Sequence, residues 1–430
     1  MARAVAISYV GVGGAFASSV LLARFFGAEG KGIFSLFQTT VALVATLTAF
    51  GIGHGQMYYC GRDPGKLPHF LPNSTALALL VGSGAAAVLL GLGERLGLRA
   101  VTSLGWQGLL AGLLCIPTMM LLTFQRQYLL ITQRFELAKL SLAVTQFSPL
   151  LAIAAVVVAG AVAVQTAVLA FVACHVACLL AFQLFIATRG EEWWGGFSWP
   201  LAKQSSVFGL KQYLSDVSLA LTSRLDFFVV ATLLGNDALG LYSVAVGLAE
   251  IVSRFASELG SMLFPAFAAR QIPSGRAPGI LGVVLLMAAG VALGMALVAR
   301  PLVSLLYGSQ FEESVASLRW LLPGTVAWSS IFVTWNHASA HGRPGTGVVI
   351  FGLAAGVDLV LSVLLIPWLG VSGASIAATL SYWFAGACFL RLFCRSEKTS
   401  LWTAVVVGWG ELRLLSQRFM MLVRLRGVSA

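Results

Sequence analysis

The chemistry of this sequence is concentrated in charges set inside apolar runs. Asp216, Arg224 and Asp226 share one such run, Glu250, Arg254 and Glu258 the next, and Asp358 stands alone in a later one. A charge at the centre of a bilayer costs roughly 2.5–3.5 kcal/mol on insertion scales, so each needs a partner or a water-filled cavity. Glu250, Arg254 and Glu258 are four residues apart and stack on one helix face. They form either a self-neutralising ladder or a cavity wall on which Arg254 meets an anion and a carboxylate takes a proton. Gly51-Ile52-Gly53-His54-Gly55 is the second unusual stretch. Three glycines on alternate positions weaken a helix. The stretch is either a bend that permits close packing or a broken helix that brings a titratable His54 to a cavity. Cys174-His175-x-x-Cys178 is the nearest approach to a metal-ligand spacing, but it lies in mid-helix and reads as packed thiols.

The elements that must position these residues are membrane spans. Of 430 residues, 58% are apolar and 10% are charged. A soluble domain carries about 25% charged residues, so much of this surface faces lipid. Apolar runs of spanning length lie near 4–26, 32–59, 70–92, 106–130, 137–160 and 166–188, then 206–234, 240–268, 279–299, 318–340, 347–367 and 373–393. The fold class expected is an all-α polytopic membrane protein of about 12 transmembrane helices. The first run continues through Ala23, too far for a cleaved leader. The longest internal connector, Arg189–Gln204, carries Trp193, Trp194 and Trp199, which read as interfacial anchors.

The net charge of +11 is a matter of topology rather than of nucleic acid. With the N-terminus in the cytoplasm, Lys and Arg divide nineteen to six between the cytoplasmic and opposite ends of the spans, with Arg224 and Arg254 left inside them. Both termini are therefore expected in the cytoplasm. After Arg395, the apolar stretch Leu401–Gly410 is too short to span. Leu412, Leu415, Phe419 and Leu422 recur at helical spacing among Arg413, Arg424 and Arg426, the pattern of an amphipathic helix on the inner membrane face.

Residues 23–62 align without gaps to 231–270, so that Gly27, Gly32, Ser35 and Arg62 meet Gly235, Gly240, Ser243 and Arg270 at an offset of 208. That offset covers six spans. It implies two six-helix lobes, 1–200 and 201–394, related by a pseudo-two-fold axis around a central cavity, with a cytoplasmic tail over 395–430.

The repeated segment carries a family resemblance. Gly27-Ala28-Glu29-Gly30-Lys31-Gly32-Ile33-Phe34-Ser35, then Ser223-Arg224-Leu225-Asp226, Leu234-Gly235, Leu239-Gly240-Leu241-Tyr242-Ser243-Val244-Ala245 and Phe264-Pro265 resemble the polysaccharide repeat-unit flippases. Leu305-Leu306-Tyr307-Gly308 and Pro367 to Ala374 extend the resemblance over nearly the whole chain. These are the O-antigen and capsule flippases of the multidrug/oligosaccharidyl-lipid/polysaccharide (MOP) exporter superfamily. The lipid II flippases of that superfamily usually have two more spans.

The resemblance implies a non-enzymatic transporter of the bacterial inner membrane. It would move polyprenyl-diphosphate-linked oligosaccharide to the outer leaflet by alternating access, beside membrane lipids and the polymerase and assembly proteins of the polysaccharide, and as a monomer. A diphosphate calls for cations, and Arg24, Arg224, Arg254 and Lys211 are the candidates. Arg24 has the alternative of snorkelling to the outer interface. Asp216, Glu250, Glu258 and His54 are candidates for a coupling or charge network. Trp335, Asn336 and Tyr382 offer the aromatic and amide walls that sugars favour, or else aromatic packing. No cofactor is expected beyond Na⁺ or H⁺ as coupling ion. By resemblance to sodium-coupled members, Asp226, Asp358, Ser362 and Thr379 would hold Na⁺. A multidrug/cation antiporter of the same superfamily is the second hypothesis, disfavoured by the buried arginines. A membrane glycosyltransferase or polymerase is the third, disfavoured by short extramembrane loops.

Overall fold

A computed structural model describes residues 2–95, 104–188, 195–268, 276–341 and 345–413. Among the described residues the regular structure is entirely helical, as the composition required. Helix α1 (Ala2–Leu47) is followed by α2 (Ile52–Arg62), a 3₁₀ turn (Pro64–His69), α3 (Phe70–Leu77), a π turn (Ala78–Gly82) and α4 (Ser83–Arg95). Then come α5 (Gly105–Ile131), α6 (Phe135–Val158), α7 (Val164–Ala187), α8 (Trp199–Leu234) and α9 (Asn236–Ala268). The chain continues through α10 (Arg276–Tyr307), α11 (Ser314–Ala340), α12 (Gly345–Leu369) and α13 (Val371–Ser396), and ends with α14 over 401–413.

Nine described helical segments are long and apolar enough to cross a bilayer. One of them, Tyr9–Leu47, contains the break at Gly27 and so covers two of the spans read from the sequence. Helices α9 and α11, of 33 and 27 residues, are also long enough to cross, though not among the nine. With these three allowances the twelve runs are all accounted for. The chain is a multi-pass membrane protein.

The repeat is visible in the backbone. Gly27 has φ 68°, ψ −169°, and its repeat partner Gly235 has φ 99°, ψ −178°. Positive φ with extended ψ is open only to glycine, so the same residue breaks the same helix in both copies. Beyond each break the copies meet reciprocally. A methyl group on Gly32 would overlap the carbonyl oxygen of Asn236, and one on Gly240 would overlap that of Ala28. Asn236 and Ala28 are themselves 208 apart, so each glycine packs on the repeat equivalent of the other's neighbour.

The described chain divides into two compact units, Met1–Val244 with Ser304–Glu312, and Ala245–Val303 with Glu313–Ala430. The first has an aromatic core in which Phe34 and Phe37 pack edge-on to Phe171, with ring centroids 5.5 and 6.4 Å apart, while Phe70 meets Tyr128. In contact terms α8 stays with this unit, where it packs on α1 and α2. The second unit is built on α11, α12 and α13 packed together, with Leu281, Val333, Phe393 and Ala404 in one of its cores. Ala404 lies on α14. The stretch read as too short to span is therefore a helix that joins this unit, with Gly282 of α10 against Ala404 and Gly408. Trp199 opens α8 with an exposed indole. Trp193, Trp194, Leu415, Phe419, Leu422, Arg424 and Arg426 lie outside the described residues.

Overpacking at a glycine crossing typically costs about 1–3 kcal/mol. Gly240→Val should lower the midpoint of thermal unfolding in detergent by several degrees. Gly84→Ala, at a position where an added methyl meets nothing, should leave it unchanged.

Candidate functional site

The glycine-rich stretch in the second span is a broken helix. Helix α1 ends at Leu47, Phe50 and Gly51 both take positive φ (44° and 68°), and α2 starts at Ile52. Gly51 and Gly55 then permit α2 to lie backbone-to-backbone against Gly209 and Ser205 of α8. No side chain separates the helices at that crossing, so the residues beside it face each other at short range. His54 Nε2 lies 2.6 Å from Asp216 Oδ2, and Gln212 Nε2 donates to Asp216 Oδ1 at 3.0 Å. Each partner of the His54–Asp216 pair keeps about a third of its side chain exposed (34% for each).

This pair lies on the wall of a cavity of about 710 Å³ inside the first unit. That volume is within the range of roughly 300–1,000 Å³ found for small-molecule sites. Helices α1, α2, α5, α6, α7 and α8 all contribute to the lining. Its polar groups are the amides of Gln38, Gln127 and Gln146, the hydroxyls of Thr123, Thr145 and Tyr213, and the ionisable side chains Arg126, His54, His175 and Asp216. Met119, Met120, Phe124 and Phe171 supply apolar surface. The carbonyl oxygens of Gln127 and Gln146 are buried with no hydrogen-bond partner among the described residues. Gly53 and Gly11 make room for these two amides, since a methyl on either glycine would overlap the oxygen concerned. His175 is held by Phe171 O and Ser148 Oγ, each 3.0 Å from Nδ1.

Arg126 is the cavity's cation, and sequence reasoning missed it. In the sequence it reads as one of the span-end charges, four residues inside the run 106–130. Its Nη2 donates to Thr123 Oγ1 at 2.8 Å. No carboxylate pairs with it among the described residues. A guanidinium in this largely apolar cavity can take two oxygens of an anion through two parallel hydrogen bonds.

Of the expected coupling network, the structure brings together His54 and Asp216 in the first unit. In the second unit Arg254 Nη2 lies 3.8 Å from Glu250 Oε2, the ladder arrangement, and Glu258 is half-buried on the same helix. The expected diphosphate cations do not share the cavity wall. Arg24 donates through Nε to Leu306 O at 2.7 Å and through Nη2 to Leu305 O, where it caps the carbonyl end of α10. The Arg224 guanidinium sits 5.4 Å from the Phe227 ring centroid. Lys211 is exposed on α8.

The expected sodium ligands divide between the units. Asp226, in the first, accepts hydrogen bonds from Tyr242 OH and, at 2.9 Å, from Phe227 N. Asp358 and Ser362, in the second, are both fully buried one helical turn apart on α12. Thr379 donates to Trp320 O at 2.6 Å. No cluster of three or more His, Cys, Asp or Glu side chains suited to a metal occurs among the described residues, the Cys174-His175-Cys178 stretch included. The residues considered for sugar are packed among aromatics. Trp335 is edge-on to Phe351 at 5.5 Å, Tyr382 lies 4.5 Å from Trp328, and Asn336 Nδ2 donates to Phe332 O at 2.6 Å.

With this geometry in hand, comparison with known proteins is informative. The pattern of the family described as "Polysaccharide biosynthesis protein" matches residues 108–316. Two solved structures superpose on nearly the whole chain. An inward-facing MATE family multidrug resistance transporter of the MOP superfamily gives a TM-score of 0.73 at 14% identity, covering 91% of this chain and 94% of its own. The lipid II flippase MurJ, in an inward closed conformation, gives 0.71 at 13% identity, covering 97% and 92%. The fold is that of the MOP superfamily. At the level of fold this agrees with the resemblance drawn from the repeated segment. An uncharacterized membrane protein of Methanocaldococcus jannaschii is 22% identical over 193 residues, which is 43% of this chain and 38% of that protein's length. Within this MOP fold the family match includes Arg126 and Asp216, on α5 and α8, but not His54.

Thr123 is exposed toward the cavity and Ser317 is fully buried outside its lining. In a background without the six native cysteines, Thr123→Cys should react with a small polar maleimide, and Ser317→Cys should not. Absence of labelling at Thr123→Cys would show that the cavity is closed to water.

Proposed function

We propose that this chain is a flippase that carries polyprenyl-diphosphate-linked oligosaccharide repeat units across the bacterial inner membrane, from the cytoplasmic to the outer leaflet, with both termini in the cytoplasm. The observation that carries the proposal is Arg126, a cavity cation with no carboxylate partner among the described residues, amid amides and hydroxyls. Phosphate oxygens suit the guanidinium, amides and hydroxyls suit sugar hydroxyls, and the polyprenyl chain stays in lipid. The family match to polysaccharide biosynthesis proteins supports this substrate class. A membrane potential negative inside favours outward movement of an anionic headgroup by about 2.3 kcal/mol per charge per 100 mV. No bond is made or broken. Membrane lipids and the polymerase and assembly machinery of the polysaccharide are the remaining partners.

Two features favour H⁺ over Na⁺ as the coupling ion. Tyr242 and the Phe227 amide already occupy the Asp226 carboxylate. The His54–Asp216 pair, with about a third of each side chain exposed, lies on the cavity wall within reach of water. A proton taken up by the pair would tie His54 to Asp216, and its release would free His54 for the cargo.

The test is reconstitution into liposomes with fluorescent lipid-linked oligosaccharide, scored for leaflet movement. Arg126→Ala should reduce translocation at least about tenfold without loss of folded protein, consistent with the loss of a charged hydrogen-bonding partner. Unchanged translocation would refute the role given to the cavity. Translocation should persist in sodium-free buffer at fixed pH, and Asp216→Asn should flatten its pH dependence. A drug-efflux phenotype with no glycolipid movement would instead select the multidrug antiporter.

A further inference from the structure

Helix α2 continues past His54 with a second arrangement that the cavity does not use. His54, Tyr58 and Arg62 are four residues apart and share one face of α2. Phe208, Gln212 and Asp216 share a face of α8 in the same way and run in the opposite sense. His54 faces Asp216, as above, and Tyr58 stacks on Phe208 with ring centroids 4.1 Å apart and planes 22° apart. The Arg62 guanidinium lies 4.3 Å from the Tyr58 centroid. Two groups cannot occupy one ring face at those distances, so Phe208 takes one face of Tyr58 and Arg62 the other. Tyr59 braces the stack edge-on, 5.2 Å from Tyr58 and 5.5 Å from Phe208. Lys66 reaches back over Tyr59 at 5.8 Å and lies 3.4 Å from Asp63.

The ring holds the guanidinium in place and leaves its N–H donors unspent. Arg62 is exposed and donates no hydrogen bond among the described residues. An arginine held over an aromatic ring has already lost part of the freedom that ion binding would otherwise remove, and its planar fork fits two oxygens of a phosphate. Arg62, Lys66 and Asp63 together leave one net positive charge at this end of α2. We propose that Arg62, stacked on Tyr58 and assisted by Lys66, is a phosphate-capture subsite two helical turns from the cavity pair. Its ligand is a phosphate or diphosphate group at the membrane surface. Under the flippase proposal, on which its role in transport rests, it holds the headgroup before the cavity does. Arg62 then sets how readily substrate loads, Arg126 how fast loaded substrate crosses, and Tyr58 acts as a positioning residue.

Two sources can supply such a phosphate, the substrate's diphosphate or an anionic phospholipid, and one experiment separates them. The full chain carrying Arg126→Ala, in nanodiscs of phosphatidylcholine, is titrated with inorganic pyrophosphate by calorimetry. We expect saturable binding, weakened about tenfold by Arg62→Ala and by Tyr58→Leu, and not restored by Arg62→Lys, which cannot stack as a planar fork. Pyrophosphate affinity that is equal with and without Arg62, or the absence of binding to the Arg126→Ala protein, overturns the subsite. Replacing part of the lipid with phosphatidylglycerol assigns the ligand. Competition that depends on Arg62 identifies a bilayer lipid, and its absence identifies the substrate's diphosphate. In liposomes, Arg62→Ala should raise the substrate concentration for half-maximal translocation several-fold and keep the maximal rate. A fall in maximal rate at unchanged half-saturation would overturn the loading role. Pyrophosphate binding needs no translocation, so failure of the flippase proposal would show as an inactive wild-type protein with the subsite intact.

Discussion

Backbone-to-backbone contact between helices is the constraint from which the site follows. Lipid tails are as apolar as leucine, so helices in a bilayer gain little by hiding apolar side chains from their surroundings and associate by close van der Waals fit. Gly51 and Gly55 against Gly209 and Ser205 give that fit between α2 and α8. It fixes the separation of the two helices, and the separation decides which side chains meet. His54 reaches Asp216 and Tyr58 reaches Phe208 because nothing larger than hydrogen stands between the backbones at the crossing. A bulky residue there would move the ion pair and the aromatic stack together, although neither would be touched directly.

The polar inventory of the first unit is arranged by the same economy. Asp216 is shared by His54 and Gln212, and His175 by Phe171 and Ser148. On the cavity wall, Arg126 and the amides of Gln127 and Gln146 have hydrogen-bonding capacity left over among the described residues. Unsatisfied groups in an apolar setting are expensive unless water or cargo visits them. Leftover capacity on two helices around one cavity suits a transient, many-oxygened guest. In the second unit Arg254 leans on Glu250, Asn336 on the backbone of Phe332, and Trp335 on Phe351.

Much of the architecture was legible because its signals are one-dimensional. Apolar run length gives spans, and an offset of 208 gives the repeat down to the glycines at which both copies break. The alternate glycines around His54 flagged the broken helix that lines the cavity, though not which partner His54 would find. The site itself was less legible. Arg224 and Arg254 stood out by their depth in a run, yet depth along a helix does not tell which side faces a cavity, and Arg254 turned to its own ladder. Arg126 was passed over for the converse reason, because near the end of a run an arginine resembles a topology marker. Helix α14 was discounted by length, which measures whether a segment spans but not whether two glycines on a neighbour give it somewhere to dock.

The reciprocal contact of Gly32 with Asn236 and Gly240 with Ala28 has the form of an isologous dimer interface, in which residue i of one copy meets residue j of the other and j meets i. In a dimer of separate chains a single gene change alters both halves of such a contact at once. In a fused duplicate the halves mutate independently, and a side chain gained by one copy strikes the backbone of the other. At this crossing, therefore, a change in one copy is limited by the backbone of the other, and the two must still be read as one.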